Sequence, residues 1–122
     1  MSKFILRQTA SGYKFDLTAG NGQVILSSEV YATRSAAVKG IASIRTNAPR
    51  ARVENQTEEG YTSLPHPKFE LYQDRAGQYR FRLKATNGKI IATSEGYATK
   101  AACENGMESV RKNAPDAETE EE

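Results

Sequence analysis

The stretch VYATRSAAVKGIASIRTNAP, from Val30 to Pro49, recurs with changes as GYATKAACENGMESVRKNAP, from Gly96 to Pro115. When the chain is compared with itself at an offset of 66 residues, 19 of the 37 positions between Tyr13 and Pro49 are identical to their counterparts. A regular internal repeat indicates duplicated structural units. The repeated segment is therefore either a scaffold built twice or a functional site present twice.

The repeat divides the chain of 122 residues into two units of about fifty residues each. We predict a first repeat over residues 1–56, a connector over 57–67, a second repeat over 68–115 and a tail over 116–122. A lone unit of this size buries too little surface for a secure core. The two units are therefore expected to share one core within a single domain.

Each unit has the pattern of a three-stranded antiparallel meander followed by a helix. In the first unit, YKFDLTA alternates apolar and polar residues, and Asn21-Gly22 then gives a strong hairpin signal, since both turn residues tolerate positive φ. Thr33 is placed to cap the helix, and the Asn-Ala-Pro sequence ending at Pro49 stops it. Gly40 lies in mid-helix, where glycine costs about 1 kcal/mol relative to alanine. A close approach of helix to sheet is therefore expected there.

A two-residue turn would fix which residues face each other across the hairpin. In the first unit it sets Leu17 opposite Leu26 and Ala19 opposite Val24, all on the face of the strands that points to the core. This agreement between register and hydrophobic pattern supports the predicted pairing.

Glu29 and Glu95 occupy equivalent positions, and paired carboxylates suggest acid–base catalysis. The predicted register, however, sets Lys14 opposite Glu29 and Arg80 opposite Glu95. Opposite charges across two strands are an ordinary stabilising pair. We favour this structural interpretation over a catalytic one.

The other candidates for chemistry are single residues without an evident partner. His66 lies between two prolines in the connector, and no residue nearby is placed to orient it. Cys103 falls on the apolar stripe of the second helix, which predicts a buried and inert thiol. Tyr31 and Tyr97 are expected to cover the strand-to-helix corner, with stacking on a ligand as the alternative. The sequence predicts no catalytic residue, no metal site and no cofactor.

A basic stripe is the best remaining functional feature. Arg80, Arg82 and Lys84 alternate along one strand and point away from the core, and Lys89 follows closely. If Glu95 neutralises Arg80, then Arg82 and Lys84 have no evident partner. These four bases form the candidate interaction surface, and such a stripe could contact nucleic-acid phosphates. The alternative is a solvated exposed face, and the first unit lacks a matching stripe.

The charge of the chain is unevenly distributed. Its formal net charge is +2, and the DAETEEE tail holds five acids and no base, so the rest of the chain carries +7. Such a block predicts a disordered tail. No apolar run is long enough to span a membrane, and the first residues lack the apolar stretch of a signal peptide. With only one cysteine in the chain, a cytoplasmic protein is expected.

The segments SEVYATRSAAVKGIASIRTNAP and SEGYATKAACENGMESVRKNAP, each after a strand–Asn-Gly–strand hairpin, resemble the YegP-like family of small bacterial and archaeal proteins. The resemblance covers both repeats. It implies that two units, from one chain or from a dimer, build one antiparallel sheet with exchanged C-terminal strands and helices on one face. The exchanged strand would lie around residues 51–56, whereas the acidic tail is a poor strand, which predicts an incomplete second exchange. The family has no established activity and supplies no catalytic residues.

These observations predict an α+β fold of two tandem β-β-β-α(-β) repeats, related by a pseudo-twofold axis. The favoured function is that of a non-enzymatic cytoplasmic protein, a structural or interaction module that acts through a surface; the sequence does not identify its partner, and a protein is one candidate. The alternative is a nucleic-acid-binding module that uses the basic stripe, and an enzyme comes third. A monomer is expected, because duplication supplies in one chain what a single-repeat relative obtains by dimerising.

Overall fold

The computed structural model describes residues 2–122 as one sheet of eight strands with two helices. In chain order the first repeat holds β1 (Lys3–Thr9), β2 (Gly12–Thr18), β3 (Val24–Ser28), α1 (Arg34–Asn47) and β4 (Arg52–Asn55). The second repeat holds β5 (Lys68–Gln73), β6 (Tyr79–Lys84), β7 (Ile90–Thr93), α2 (Lys100–Asn113) and β8 (Glu118–Glu121).

The strand order β4-β5-β6-β7-β3-β2-β1-β8 places the two repeats side by side. β3 and β7 join them in the middle, and each repeat sends its last strand to the far side of the other. The predicted fold with exchanged strands is confirmed. The sheet is mixed and not antiparallel throughout as expected, because the exchanged strands β4 and β8 run parallel to their neighbours while all other pairs are antiparallel.

The acidic tail forms a strand, so the expectations of a disordered tail and of an incomplete second exchange are wrong. Residues Glu118–Glu121 pair with the edge of β1, and all four are exposed. Their low strand propensity is offset by backbone pairing and by two contacts with basic residues. Lys3 Nζ lies 3.3 Å from Glu120, and the Arg34 guanidinium makes two hydrogen bonds to the Glu121 carboxylate.

Both helices pack on the same face of the sheet and enclose a core that the two repeats share, as predicted. α1 contacts β1, β2 and β7, and α2 contacts β3 and β6, so each helix reaches strands of both repeats. Two edge-to-face phenylalanine pairs fill the centre, Phe4 with Phe15 and Phe69 with Phe81, and each ring is at most 1% exposed. Burial of these large rings is a main source of stability.

The predicted helix signals are confirmed. The Thr33 hydroxyl accepts a hydrogen bond of 3.1 Å from the backbone N–H of Ala36, and Thr99 does the same for Ala102. The close approach expected at Gly40 is made by a side chain: the Tyr31 hydroxyl occupies the space that a Cβ on this glycine would need. Each helix can therefore sit directly over a tyrosine of its own repeat.

The hairpin turns differ from the prediction and shift the register. Within residues 2–122 no residue other than glycine has positive φ, so in the first turn only Gly22, at φ 86°, adopts the left-handed conformation. Gly22 N–H donates to Ala19 O, and Ala19 N–H donates to Gln23 O, which is a turn with a glycine bulge. Leu17 lies opposite Leu26 as predicted, but the bulge sets Val24 opposite Thr18 instead of Ala19.

Candidate functional site

The candidate interaction surface is divided between the two sides of the sheet. Arg80, Arg82 and Lys84 alternate on β6 and lie half-buried on the face that carries no helix, which we call the outer face. Lys89 precedes β7 and lines a cleft beside α1 on the helix side. The four bases therefore do not form one surface.

Glu70 on β5 is the partner that the sequence analysis missed. It is 3% exposed, its Oε1 lies 2.6 Å from Arg82 Nε, and its Oε2 lies 3.3 Å from Lys84 Nζ. The expectation that these two bases lack partners is therefore wrong. The alternating pattern of KFELYQ places Glu70 on the outer face, directly opposite Arg82 in the β5–β6 pairing, so the signal was present in the sequence.

Arg80 pairs with Asp74 instead of Glu95. Its Nε lies 2.7 Å from Asp74 Oδ2, and its Nη1 donates to the Ser94 carbonyl at 3.1 Å. The hydrogen bond from Arg80 lowers the pKa of Asp74. Within residues 2–122, no ion pair joins Arg80 to Glu95.

In the first repeat, likewise, the described residues include no ion pair between Lys14 and Glu29. A side chain interrupts the strand ladder and explains both wrong pairings. Ser28 Oγ accepts the backbone N–H of Phe15 at 2.9 Å, and pairing resumes one residue further along, between Tyr13 and Tyr31. The second repeat has the same arrangement, so both glutamates move out of the predicted register.

A buried ionic cluster connects the outer face to the connector. Lys68 is 4% exposed, and its Nζ lies 2.7 Å from Glu54 and 3.3 Å from Glu70. Burial by itself would raise the pKa of Glu54, but hydrogen bonds from Lys68, Gln56 and the backbone N–H of Leu64 hold that pKa at about 2. A carboxylate that stays ionised in this way has a structural role and is a poor general acid near neutral pH.

One row of paired residues crosses the outer face, with one residue on each strand. Its members carry charges of both signs, and in order across the sheet they are Glu120, Ile5, Asp16, Ser27, Thr93, Arg82, Glu70 and Glu54. We call this set the outer row. Asp16 Oδ2 lies 2.7 Å from Arg7 Nη1, and Asp16 Oδ1 accepts from Ser27 Oγ at 2.7 Å, so the charges in the row are held in fixed positions.

Two clefts lie at positions that the repeat relates. The first, with a volume of about 230 Å³, lies between α1 and the β6–β7 hairpin and includes Tyr31, Lys39 and Lys89 in its lining. The second, of about 340 Å³, includes Glu95 and Tyr97. We call them the lysine cleft and the glutamate cleft.

The two cleft tyrosines pack on the core. Tyr31 stacks on Phe15 with ring centroids 6.1 Å apart, and Tyr97 stacks on Phe81 at 6.4 Å. Each therefore covers the strand-to-helix corner, as predicted. Because each tyrosine also lines a cleft, stacking of its ring on a ligand stays a hypothesis.

The remaining single residues stand apart from any catalytic arrangement. Cys103 is fully buried, which confirms the predicted burial, and burial raises the pKa of its thiol to about 11, which disfavours the nucleophilic thiolate. His66 is exposed in the connector. Within residues 2–122, no group of three His, Cys, Asp or Glu side chains is placed to hold a metal ion. No helix in this described part is long and apolar enough to cross a bilayer.

The fold and these surfaces define a duplicated α+β protein whose two halves exchange their last strands. The family model described as a domain of unknown function, DUF1508, matches residues 9–55 and 74–121, one match in each repeat. A UPF0339 protein of Bordetella pertussis is 36% identical over 119 residues, which cover 98% of this chain and 94% of that protein. The chain belongs to the DUF1508/UPF0339 family, which includes the YegP proteins, so the predicted resemblance is confirmed.

Two further relatives bear on the architecture. The solution NMR structure of YegP from Escherichia coli, a protein of unknown function, matches with a TM-score of 0.79 and 35% identity, over 98% of this chain and 91% of that one. A UPF0339 protein of Treponema denticola is 62% identical over 50 residues, which are 41% of this chain but 86% of that protein. A relative of about one repeat in length supports the description of each repeat as a structural unit.

Proposed function

We propose that this chain is a non-enzymatic interaction module that contacts a protein partner through the outer face of its sheet. The outer row carries the proposal, because it crosses all eight strands and holds one arginine and four carboxylates in fixed positions, of which Arg82 and Glu120 are the most accessible. Within residues 2–122 the row is capped only at one end, where the Leu64 N–H of the connector donates to Glu54 at 2.7 Å. A protein surface with complementary charges could dock on such a face without disturbing the core.

A protein partner fits the outer face better than a nucleic acid does. Arg82 and Lys84 share Glu70, and Arg80 is bound to Asp74. Phosphates would have to compete with these carboxylates, and Glu70 is too buried to move aside. Nucleic-acid affinity grows with the number of bases that are available to neutralise phosphates. The basic stripe offers few, so nucleic-acid binding remains the second candidate.

The proposal places this module in the cytoplasm as a monomer. Its single cysteine is reduced and buried, as is usual for a protein of a reducing compartment. Strand exchange is completed within one chain, because β4 and β8 each find their neighbour in the other repeat. Light scattering of the purified protein is expected to give the mass of one chain, and a dimer would contradict this part of the proposal.

The role of the outer face in binding can be tested by introducing large side chains at its centre. Ser27→Arg with Thr93→Arg changes two half-buried positions of the outer row and leaves the core unchanged. Ser35→Arg, an exposed site on α1, is the matched control. Proteins that crosslink to the wild type in its own cells are identified by mass spectrometry. The protein that is crosslinked in the highest yield is then purified for titration.

We expect the double variant to bind that partner about tenfold or more weakly, since disturbing the centre of an interface has the largest effect. The control should bind as the wild type does. Equal binding by both variants would contradict the proposal. Titration with mixed oligonucleotides at low salt tests the second candidate: binding that weakens steeply with salt and is lost in Arg82→Gln would replace the protein partner with nucleic acid.

A further inference from the structure

The lysine cleft has the features of a small binding site on the side of the sheet opposite the outer face. Its floor is apolar and includes Ile91, which is 4% exposed, and Ile90. Lys39 of α1 and Lys89 of the β6–β7 hairpin stand at its rim, one from each repeat. Both lysines are exposed, and neither forms an ion pair among residues 2–122. This separates them from the bases of the outer face, which are bound to carboxylates.

The repeat shows which features of this cleft are specific to it. Ten residues line the cleft, and their equivalents 66 positions away are identical at seven places. Ile90 corresponds to Val24, which keeps the apolar floor. The two remaining differences are the lysines, because Lys39 corresponds to Asn105 and Lys89 to Gln23. The repeat therefore duplicates the uncharged lining of the cleft but not its two lysines.

The glutamate cleft has the opposite electrostatic character. Its lining includes Glu95, and it has Gln23 where the lysine cleft has Lys89. The two clefts therefore differ in charge while they share their tyrosine and their aliphatic floor. A difference of this kind selects between ligands of different charge.

We infer that the lysine cleft binds a small organic anion, a molecule with an apolar body and a carboxylate or phosphate group. The apolar body lies on Ile90 and Ile91, and the anionic group lies between the ammonium groups of Lys39 and Lys89. The volume of about 230 Å³ is below the usual range for drug-sized ligands, so it fits only a small molecule. The hydroxyl of Tyr31, held against Gly40, is a further polar group at the same site.

The test uses four probes that separate charge from apolar surface. Phenyl phosphate and benzoate carry both features, inorganic phosphate carries charge alone, and benzyl alcohol carries the ring alone. Each is titrated into the ¹⁵N-labelled full chain, and the backbone amide signals are followed. We expect saturable shifts at Lys39, Gly40 and Ile91 with phenyl phosphate, with benzoate or with both, and the stronger of the two identifies the anionic group.

Two exchange variants make the assignment specific. Lys39→Asn with Lys89→Gln gives the lysine cleft the residues of its counterpart, and we expect binding to weaken about tenfold or more. Gln23→Lys with Asn105→Lys places lysines at the equivalent positions of the other repeat, with Gln23 in the lining of the glutamate cleft, and we expect new shifts near Tyr97. Because each variant uses residues already present at the equivalent position, both are expected to fold, and thermal melting checks this.

Three results would overturn the inference. One is the lack of any saturable shift with either anionic probe at about 10 mM, a concentration far above the dissociation constant of a specific site. Another is equal binding of inorganic phosphate alone or of benzyl alcohol alone. The third is unchanged affinity in the variant without the two lysines. None of these results bears on the outer face, so the two proposals fail or stand separately.

Discussion

Ser27 on β3 lies directly opposite Thr93 on β7, and the two residues are repeat equivalents, since 93 − 27 gives the offset of 66. Two equivalents can pair in this way only if the pseudo-twofold axis passes between them. Asp16 and Arg82, which are also 66 residues apart, then flank the axis with opposite charges. Because of the duplication, each structural position exists twice in one chain, so the effect of a substitution at one position can be compared with that at its equivalent.

The contact between Tyr31 and Gly40 predicts the effect of a small substitution. Gly40→Ala would place a Cβ where the tyrosine hydroxyl lies, with Phe15 also close, so the side chains must shift. Overpacking of this kind costs about 1–3 kcal/mol, which outweighs the gain of about 1 kcal/mol in helix propensity. We expect a net loss in the free energy of unfolding, measured in urea.

Two companion variants check the cause. Gly20→Ala, where nothing lies within 4 Å of the added Cβ, should leave stability unchanged within about 0.5 kcal/mol. Tyr31→Phe combined with Gly40→Ala should recover part of the loss, since it removes the nearest atom. A double variant as unstable as the sum of the single ones would show that the tyrosine is not the cause.

The ion pair Glu54–Lys68 and its equivalent Glu120–Lys3 predict different contributions to stability. The first pair is almost fully buried, whereas the side chains of Lys3 and Glu120 are 44% and 54% exposed. Breaking a buried pair leaves a charge without its partner, although Lys68 keeps Glu70. We expect Glu54→Gln to cost about 2 kcal/mol and Glu120→Gln less than about 1 kcal/mol. Equal losses in urea unfolding would contradict the role of burial.

The ion pair Glu54–Lys68 also predicts how the free energy of unfolding changes at acidic pH. The ordinary pKa of a glutamate is 4.5, and in the folded chain hydrogen bonds outweigh burial and hold that of Glu54 at about 2. The folded state therefore binds this proton less readily than the unfolded state does. The stabilisation from Glu54 is complete above pH 4.5 and is lost as the pH falls toward 2. Stability measured across this window should fall less steeply in Glu54→Gln than in the wild type, and parallel curves would contradict the assignment.

Local signals explain what the sequence predicted well. The threonine caps, the Asn-Ala-Pro stops and the alternation of YKFDLTA depend on neighbours in the chain, so each could be recognised without the fold. The Asn-Gly turn was recognised as a turn, but its type depends on the φ of Asn21, which composition does not determine. The missed bulge changes only the pairing next to the turn, whereas the hydroxyls of Ser28 and Ser94, which replace a backbone partner further along, displace the pairs Lys14–Glu29 and Arg80–Glu95.

Long-range contacts explain the rest. The tail becomes a strand because β1 offers it an edge, and neither its charge nor its propensity indicates this. Glu70 is different, since the alternation of KFELYQ and YRFRLK places it on the same face as Arg82 and Lys84, although its exact register depends on the five-residue loop between β5 and β6. The lysine cleft combines α1 of one repeat with the hairpin of the other, so it follows only from how the halves pack.

Two equivalent arginines hold the exchanged segments in place. Arg45 of α1 donates to the Ala117 carbonyl at 2.6 Å, and Arg111 of α2 donates to the Ala51 carbonyl at the same distance. Each helix therefore anchors the chain that leads into the last strand of the other repeat. We expect Arg45→Ala to speed amide exchange in β8 and Arg111→Ala to speed it in β4, each with a loss of about 1–2 kcal/mol. Hydrogen exchange followed by mass spectrometry resolves the two strands, and an equal effect on both would argue against separate anchors.

Removal of residues 118–122 tests whether the acidic tail is a strand of the sheet. A disordered tail could be removed without effect on stability. As β8, however, it covers the edge of β1 with parallel backbone pairing, and its Glu121 binds Arg34 of α1. We expect the truncated chain to melt several degrees lower, to exchange the amides of β1 faster and to associate at high concentration, because an uncovered edge strand pairs with other chains.

Glu118→Lys with Glu120→Lys keeps the strand and removes only its acidic character, so it is the matched control for charge. We expect it to melt closer to the wild type than the truncation does, because backbone pairing contributes more here than exposed ion pairs do. Thermal melting and light scattering distinguish the two variants. An unchanged melting temperature after truncation would show that the tail adds nothing to the fold.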